Sequence, residues 1–547
     1  MSKLIVIGID GGTPDIMLSL MDQGMLPNFE AIRRRGAFGE LLSVPNQRSA
    51  AAWSSFITGT NPGRHGIFEF YERIPGSHSV RFTRASQRNG ISFWKYLSDR
   101  GKTVISINVP MSYPAEEISG CVISGLDAPG KQSSGFTYPP DLLSDIEAAV
   151  GPYVQEPGVT SLVIAGQIGE ALDKIIYSVR QRGKAVRYLM GRYNWDTAIA
   201  VFRETDPVQH CFWKYLDDDG AEFKDAVFKV YQEIDLEVGR ILTEAGPDAR
   251  VLVLSDHGFG PRQHGNGCLN QWLGEAGFLK MTNGRKGISI PGILRKAYHL
   301  LEKNLSRRMK ERLFGMFPGV ISRVHSRVFF GSIDWEGTLA YSDNIMPVVW
   351  INSDAKGGSM SPEKYREAVS AVKEALLNMC CEGKTGKKVV EWVKHRDEIY
   401  SGPGVSKAPD LLIKWKESEV ITGLRFGEHG SPIRPRYPTG EFAVISGDHR
   451  PMGVFMASGD GIRQNVVLTG LTIVDVTATA VYLSDLPVPE FMEGSVPASL
   501  FEESFLSSHR IGLEKWDSHA DTADLPAYSP QEEEDLKNRL RGLGYLE

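Results

Sequence analysis

The chain has 547 residues, 61 of them basic and 67 acidic, with 41% hydrophobic residues and a formal net charge of −6. That length exceeds one small core and suits several domains, or one large α/β core carrying insertions. The near balance of charge gives no support for a general nucleic-acid binder, so an anionic partner has to be met by a local site. Five scattered cysteines, without CxxC spacing, argue against a disulfide framework or a structural zinc knot and point to a reducing compartment. The first strand pattern starts by Lys3, which leaves no space for a signal peptide, and no apolar run approaches the roughly 18–20 residues of a membrane span. A soluble, cytoplasmic chain is expected.

The opening stretch alternates short apolar runs with helical patterns: KLIVIGID, PDIMLSLMDQG, PNFEAIRRRG, SAAAWSSFITG, ISFWKYLSDRG and KTVISINVP. The alternation returns at WDTAIAVFRE, AVFKVYQEIDLEVGRILTEAG and ARVLVLSDHG. Strands punctuated by helices in this way predict an α/β fold, a mostly parallel central sheet with helices on both faces. Residues 126–185 are rich in Gly, Ser and Pro between Gly130 and Gly183 and read as an excursion within the core.

Residues 281–339 form a second insertion. Its basic residues, from Arg285 to Arg327, far outnumber Glu302 and Glu311, and Leu294, Ala297, Leu301 and Leu305 recur at helical spacing. The pattern predicts a basic amphipathic cap packed on the core, with peripheral contact to anionic membrane or another polyanion as the alternative. The sheet pattern resumes through residues 340–500, so that 1–280 and 340–500 together make the catalytic core. Residues 501–547 form an acidic, polar tail ending in a short helix, EEEDLKNRLRGLGYLE.

Chemistry collects at the ends of the predicted strands. Asp10 closes KLIVIGID, Asp206 and His210 follow TAIAVFRE, Asp256 and His257 follow ARVLVLS, His449 lies in SGDHRPMG, and Ser49 opens a helix. In an open α/β sheet, ligands bind beyond the carboxyl ends of the strands, where loops gather side chains from distant segments. Asp10, Asp206, His210, Asp256, His257 and His449 supply the protein ligands that two zinc-like ions sharing a site require. Asp206 and His210, one helical turn apart, can face the same ion. A serine hydroxyl is a weak nucleophile at neutral pH, and a divalent cation activates it by stabilising the alkoxide. At the start of a helix, Ser49 also aims the amides of Ala50 and Ala51 at a phosphoryl oxygen. Singly each residue has a plainer reading: Asp10 a turn residue, Ser49 an N-cap, His449 a salt-bridged loop histidine. Their conjunction points to metal-assisted phosphoryl transfer.

The order GIDGGTPD, SAAAWSSFITGTNPGRHGIF, ETDPVQH, LSDHGFG, GDHRPMGVFMASG and IVDVTATAVYLSDLPVPEFMEG resembles the alkaline phosphatase superfamily, nearest to its type I phosphodiesterase and nucleotide pyrophosphatase branch. The resemblance implies an alkaline phosphatase-like core with insertions forming a cap. It implies that Asp10, Ser49, Asp256 and His257 hold one divalent metal, with Ser49 as nucleophile, and that Asp206, His210 and His449 hold a second, which activates water against the phosphoserine. Zinc is the expected metal, with manganese next.

Two departures qualify the resemblance. Nucleophiles in this branch are often threonine, and Ser49 keeps the hydroxyl. Many diesterases carry an asparagine three residues after the nucleophile, where this chain has Ala52; Asn46 and Arg48 are candidates to supply the missing phosphoryl contact. Expected substrates are therefore phosphate diesters or pyrophosphates, with phosphomonoesters or a phosphomutase reaction as the alternative, and sulfate esters are disfavoured because the sulfatase signature is absent. His65 reads as fixing the turn after the Ser49 helix, His264 as a supporting or loop-capping residue, and His429 as the competitor of His449 for the ligand role.

Overall fold

The computed structural model describes residues 2–74, 80–282, 333–353, 360–381, 387–417, 420–426, 430–435, 444–516, 528 and 530–542. The basic run of the 281–339 insertion, with the cap and lipid contact expected of it, lies outside these residues, as does His429.

A nine-stranded sheet forms the centre: β1 (Leu4–Ile9), β2 (Gly36–Leu42), β3 (Val104–Val109), β4 (Gly120–Ser124), β5 (Thr137–Tyr138), β6 (Thr197–Phe202), β7 (Arg250–Leu254), β8 (Met452–Ser458) and β9 (Val466–Thr472). The strands lie side by side in the order β9-β2-β8-β7-β1-β6-β3-β4-β5. β1 runs parallel to both neighbours, β6 and β7, while β8 and β5 run antiparallel to theirs. β1, β6 and β7 are buried along their whole length, as strands covered on both faces must be, and their sequences LIVIGI, TAIAVF and RVLVL are accordingly near-continuous apolar runs. The result is an α/β fold with a mostly parallel central sheet flanked by helices.

Helix α1 (Ser49–Thr58) is buried on every side. Its small residues permit this, and so does Gly8 of β1: a Cβ there would lie 2.6 Å from the Trp53 ring. The largely buried helix Ile473–Leu483 packs on α1, closing this layer.

The span 126–185, set apart above by its composition, leads into a long amphipathic helix, α2 (Ile168–Arg192). α2 packs against helix α4 (Ala226–Ala245) and against β3 and β6, so much of this span belongs to the core. Its buried positions, among them Ala171, Leu172, Ile175, Val179, Val186 and Leu189, recur at helical spacing, a period masked by the glycine-rich approach. Arg182 on α2 meets Glu204 at 2.8 Å, both side chains buried. The short helix α3 (Thr205–Phe212) starts just beyond β6.

A smaller four-stranded antiparallel sheet, Ala340–Tyr341, Val348–Ile351, Leu411–Trp415 and Val390–His395, stands beside the core with the helix Pro362–Leu377. The C-terminal helix, α5 (Pro530–Gly542), docks on the loop after β4: Arg539 donates to the Pro129 carbonyl at 2.6 Å, and the Tyr528 hydroxyl to that of Asp127 at 3.2 Å. Among the described residues, no helix is long and apolar enough to cross a membrane.

Candidate metal centre

The ends of β6, β1 and β7 are adjacent in the sheet, so the residues that follow them become neighbours. Asp10 follows β1, Asp206 and His210 share one face of α3, and Asp256 and His257 follow β7. His449 arrives from the antiparallel ribbon of Gly258–Pro261 with Gly447–Arg450, where it pairs with Phe259, and its ring stacks on that of His257 with centroids 3.7 Å apart. Ser49 is the first residue of α1, and Arg48 holds the N-cap position without a side-chain cap bond. The Ser49 hydroxyl is thus available for contacts other than capping, and its Oγ lies 3.1 Å from His257 Nε2.

Two groups of ligand-type atoms form, Asp206 with His210 and His449, and Asp10 with Asp256 and His257. In the first, the separations are 3.4 Å for His210 Nε2 to Asp206 Oδ1, 3.3 Å for His449 Nε2 to the same oxygen, and 3.2 Å between the two Nε2 atoms. Ligands about 2.0–2.1 Å from one ion at tetrahedral angles stand about 3.3–3.4 Å apart, so this triangle has the edges of a tetrahedral face. In the second group, His257 Nε2 is 3.2 Å from Asp256 Oδ2 and 3.8 Å from Asp10 Oδ1.

Proton placement agrees with cation binding. His210 Nδ1 faces the Gly447 carbonyl at 2.9 Å, His257 Nδ1 that of Gly258 at 3.1 Å, and His449 Nδ1 that of Gln47 at 2.8 Å. A carbonyl only accepts, so each Nδ1 carries a proton and each ring turns its Nε2 lone pair inward; against the effect of burial, the Asp206 charge raises His210 above the ordinary histidine range, so a proton takes that position in the absence of a cation. Two such lone pairs 3.2 Å apart, on His210 and His449, require a cation or a proton between them. Asp10 Oδ1, both carboxylate oxygens of Asp206 and Asp256 Oδ2 are buried without a hydrogen-bond partner. Orphaned carboxylate oxygens are costly, and a divalent ion satisfies them.

The electrostatics point the same way. Burial and the charges of Asp256 and Asp206 push the Asp10 carboxyl well above the carboxylate range, against the pull of Arg203. Burial, with the Asp206 charge, lifts Asp256 to about 7, although the Gly11 amide donates to it at 3.0 Å. Burial also holds His257 and His449 below the ordinary histidine range, keeping them neutral. Burial opposes ionisation of Asp206 too, but His210 and His449 hold its carboxyl well below the carboxylate range, so Asp10 and Asp256 are the two that reach full ligand charge only where positive charge is supplied. The residues present therefore fit a pair of divalent cations.

Asn46 and Arg48 sit on the loop before Ser49, on the wall of an open cleft that His449, Arg450 and Trp415 also line. Asn46 Nδ2 donates to the Phe68 carbonyl at 2.6 Å, and Arg48 Nε donates to the buried carboxylate of Glu69. His65 bonds Ser55 Oγ through Nε2 at 2.9 Å and accepts the Ile67 amide at Nδ1, tying the loop after α1 to that helix. Sequence reasoning passed over Arg203, Trp53 and Gln47. Trp53 Nε1 donates to Asp10 Oδ2 at 3.4 Å, and Arg203 lies beside the same oxygen. Only Arg203 had a legible signal, a cation standing directly between a strand and the ETD that follows it.

The sequence profile of the type I phosphodiesterase / nucleotide pyrophosphatase family matches residues 4–423. The chain belongs to this family. As a member it is a hydrolase of phosphoric ester bonds, within the alkaline phosphatase superfamily. No curated protein matches it. Among solved structures, phosphonoacetate hydrolase from Sinorhizobium meliloti 1021, in complex with phosphonoacetate, is similar at 14% identity and a TM-score of 0.52, covering 88% of this chain and 96% of that one. Murine ectonucleotide pyrophosphatase / phosphodiesterase 5 is similar at 12% identity and a TM-score of 0.49, covering 91% of this chain and 100% of that one. At such identities the likeness to phosphonoacetate hydrolase speaks for the fold alone.

Proposed function

We propose that the chain cleaves phosphate diester or pyrophosphate bonds through a phosphoserine on Ser49. The observation that carries this reading is the convergence of three inward Nε2 lone pairs and four orphaned carboxylate oxygens around a single hydroxyl. Asp10, Ser49, Asp256 and His257 would hold one divalent cation and Asp206, His210 and His449 the other, zinc in first place and manganese in second. Bound there, the pair supplies Lewis-acid stabilisation to a serine alkoxide and to the charge of the transferring group.

The chain's own part begins at Ser49 Oγ, which attacks phosphorus as the bond to the leaving group breaks. The Ala50 and Ala51 amides, which have no intrahelical acceptor in the first turn of α1, stabilise the phosphoryl oxygens. Water then cleaves the Ser49–phosphorus bond and restores the hydroxyl. The cleft beside His449 is the place proposed for the leaving group, and Asn46 and Arg48 on its wall are the candidates to supply the missing phosphoryl contact. Five cysteines scattered without CxxC spacing suit a reducing, cytoplasmic setting.

Ala52 favours a second reading, a phosphomonoesterase or phosphomutase at the same site, because it is fully buried and brings no donor to the phosphoryl group. Matched monoester and diester substrates separate the two readings by their relative turnover. For the shared mechanism, purified protein should hydrolyse a nitrophenyl phosphate ester and lose that activity to a chelator. Ser49→Ala should lower kcat by about a thousandfold or more, in line with removal of a covalent nucleophile. Retained turnover in Ser49→Ala would defeat the phosphoserine.

A further inference from the structure

Arg203 stands directly after β6 and is 3% exposed. Its Nε lies 3.7 Å from Asp10 Oδ2, and its Nη1 lies 3.1 Å from Glu156 Oε2. Among the described residues, no other arginine or lysine forms an ion pair with Asp10, Asp206 or Asp256. Asp10 thus turns one oxygen toward Arg203 and Trp53 and the other toward the centre.

Three buried carboxylates repel one another unless positive charge is close, and a buried charge without a partner is strongly destabilising. A permanent cation at this place has two opposed effects on a metal ion. It restrains the Asp10 carboxylate and helps keep it ionised, which favours binding, and it repels the ion, which opposes it. Repulsion between an arginine and a doubly charged cation in a site shielded from water outweighs that help to a single short side chain.

We propose that Arg203 is a resident counter-cation of the metal centre: it stabilises the metal-free chain and weakens metal binding at the Asp10, Asp256 and His257 group, with Glu156 moderating its charge. The inference rests on the two-cation reading above. Its functional consequence is an exchangeable ion in that position, held less tightly than the ligand set alone would hold it. Arg203 is a positioning and electrostatic residue, not one that meets substrate.

The test is calorimetric titration of Mn2+ into the full chain after chelator stripping, with thermal melts of the stripped and loaded forms. Arg203→Met should bind at one of the two sites about tenfold more tightly. Its stripped form should melt lower than the unsubstituted stripped chain, and the rise on adding Mn2+ should be larger. Arg203→Lys should restore affinity to within about threefold, because the charge returns. Glu156→Gln, which leaves Arg203 in place, should bind more weakly, and it keeps the question open to an answer if Arg203→Met does not fold. Unchanged or weaker binding in Arg203→Met, or unchanged or tighter binding in Glu156→Gln, overturns the proposal while leaving the two-cation reading intact. Absence of Mn2+ binding by the unsubstituted chain overturns both.

Discussion

His210, His257 and His449 spend their Nδ1 protons on the carbonyls of Gly447, Gly258 and Gln47, and this fixes which nitrogen faces the centre. Gln47 pays for that service in backbone geometry: its φ of 51° is left-handed, a region that disfavours side chains branched at Cβ. Gln47→Gly should therefore keep metal binding and stability close to the original, whereas Gln47→Val should lose about 1–3 kcal/mol of stability in chemical denaturation. Equal stability of the two variants would show that the turn is not strained. The convergence of these candidate ligands was legible because residue type announces their chemistry and strand ends announce their place. The carbonyls that orient them were not, since a main-chain oxygen has no letter of its own. Arg203 escaped for a related reason: its meaning depends on Glu156, 47 positions earlier in the stretch that reads as an excursion within the core.

At the scale of elements, the site depends on how closely α1 lies on β1. Gly8 leaves space for Trp53, and Trp53 in turn donates to Asp10. Gly8→Ala would place a Cβ 2.6 Å from the indole and 2.9 Å from Val201, contacts that force the helix outward. Overpacking of this kind costs about 1–3 kcal/mol, so the urea midpoint should fall and metal affinity at the Asp10 group should fall with it. A variant as stable as the original would mean that α1 can shift freely. The strand and helix alternation of the core could be read from the chain because β1, β6 and β7 are short, near-continuous apolar runs between helical patterns. α2 was obscured because its period begins inside a glycine-rich approach, and the antiparallel return of β8 between β2 and β7 leaves no trace in its composition. The ribbon that brings His449 to His257 is likewise a product of tertiary pairing.

Across the whole molecule, ligand-type residues from Asp10 to His449 are drawn into one rim by a sheet whose middle strands are not consecutive in the chain. The buried charge gathered there is unfavourable by itself, and the family to which the chain belongs acts on phosphoric esters, so under the proposed function the same arrangement that strains the metal-free protein would prepare it for its reaction. Cation binding is the claim on which the nucleophile, the Arg203 inference and the substrate chemistry all depend. Anomalous diffraction from crystals of the full chain grown with Zn2+ tests it most directly. Two peaks are predicted, one enclosed by Asp206, His210 and His449 and the other by Asp10, Asp256 and His257 with Ser49 Oγ beside it. Crystals with no peak among these residues, or with ions bound only elsewhere on the chain, would contradict the account.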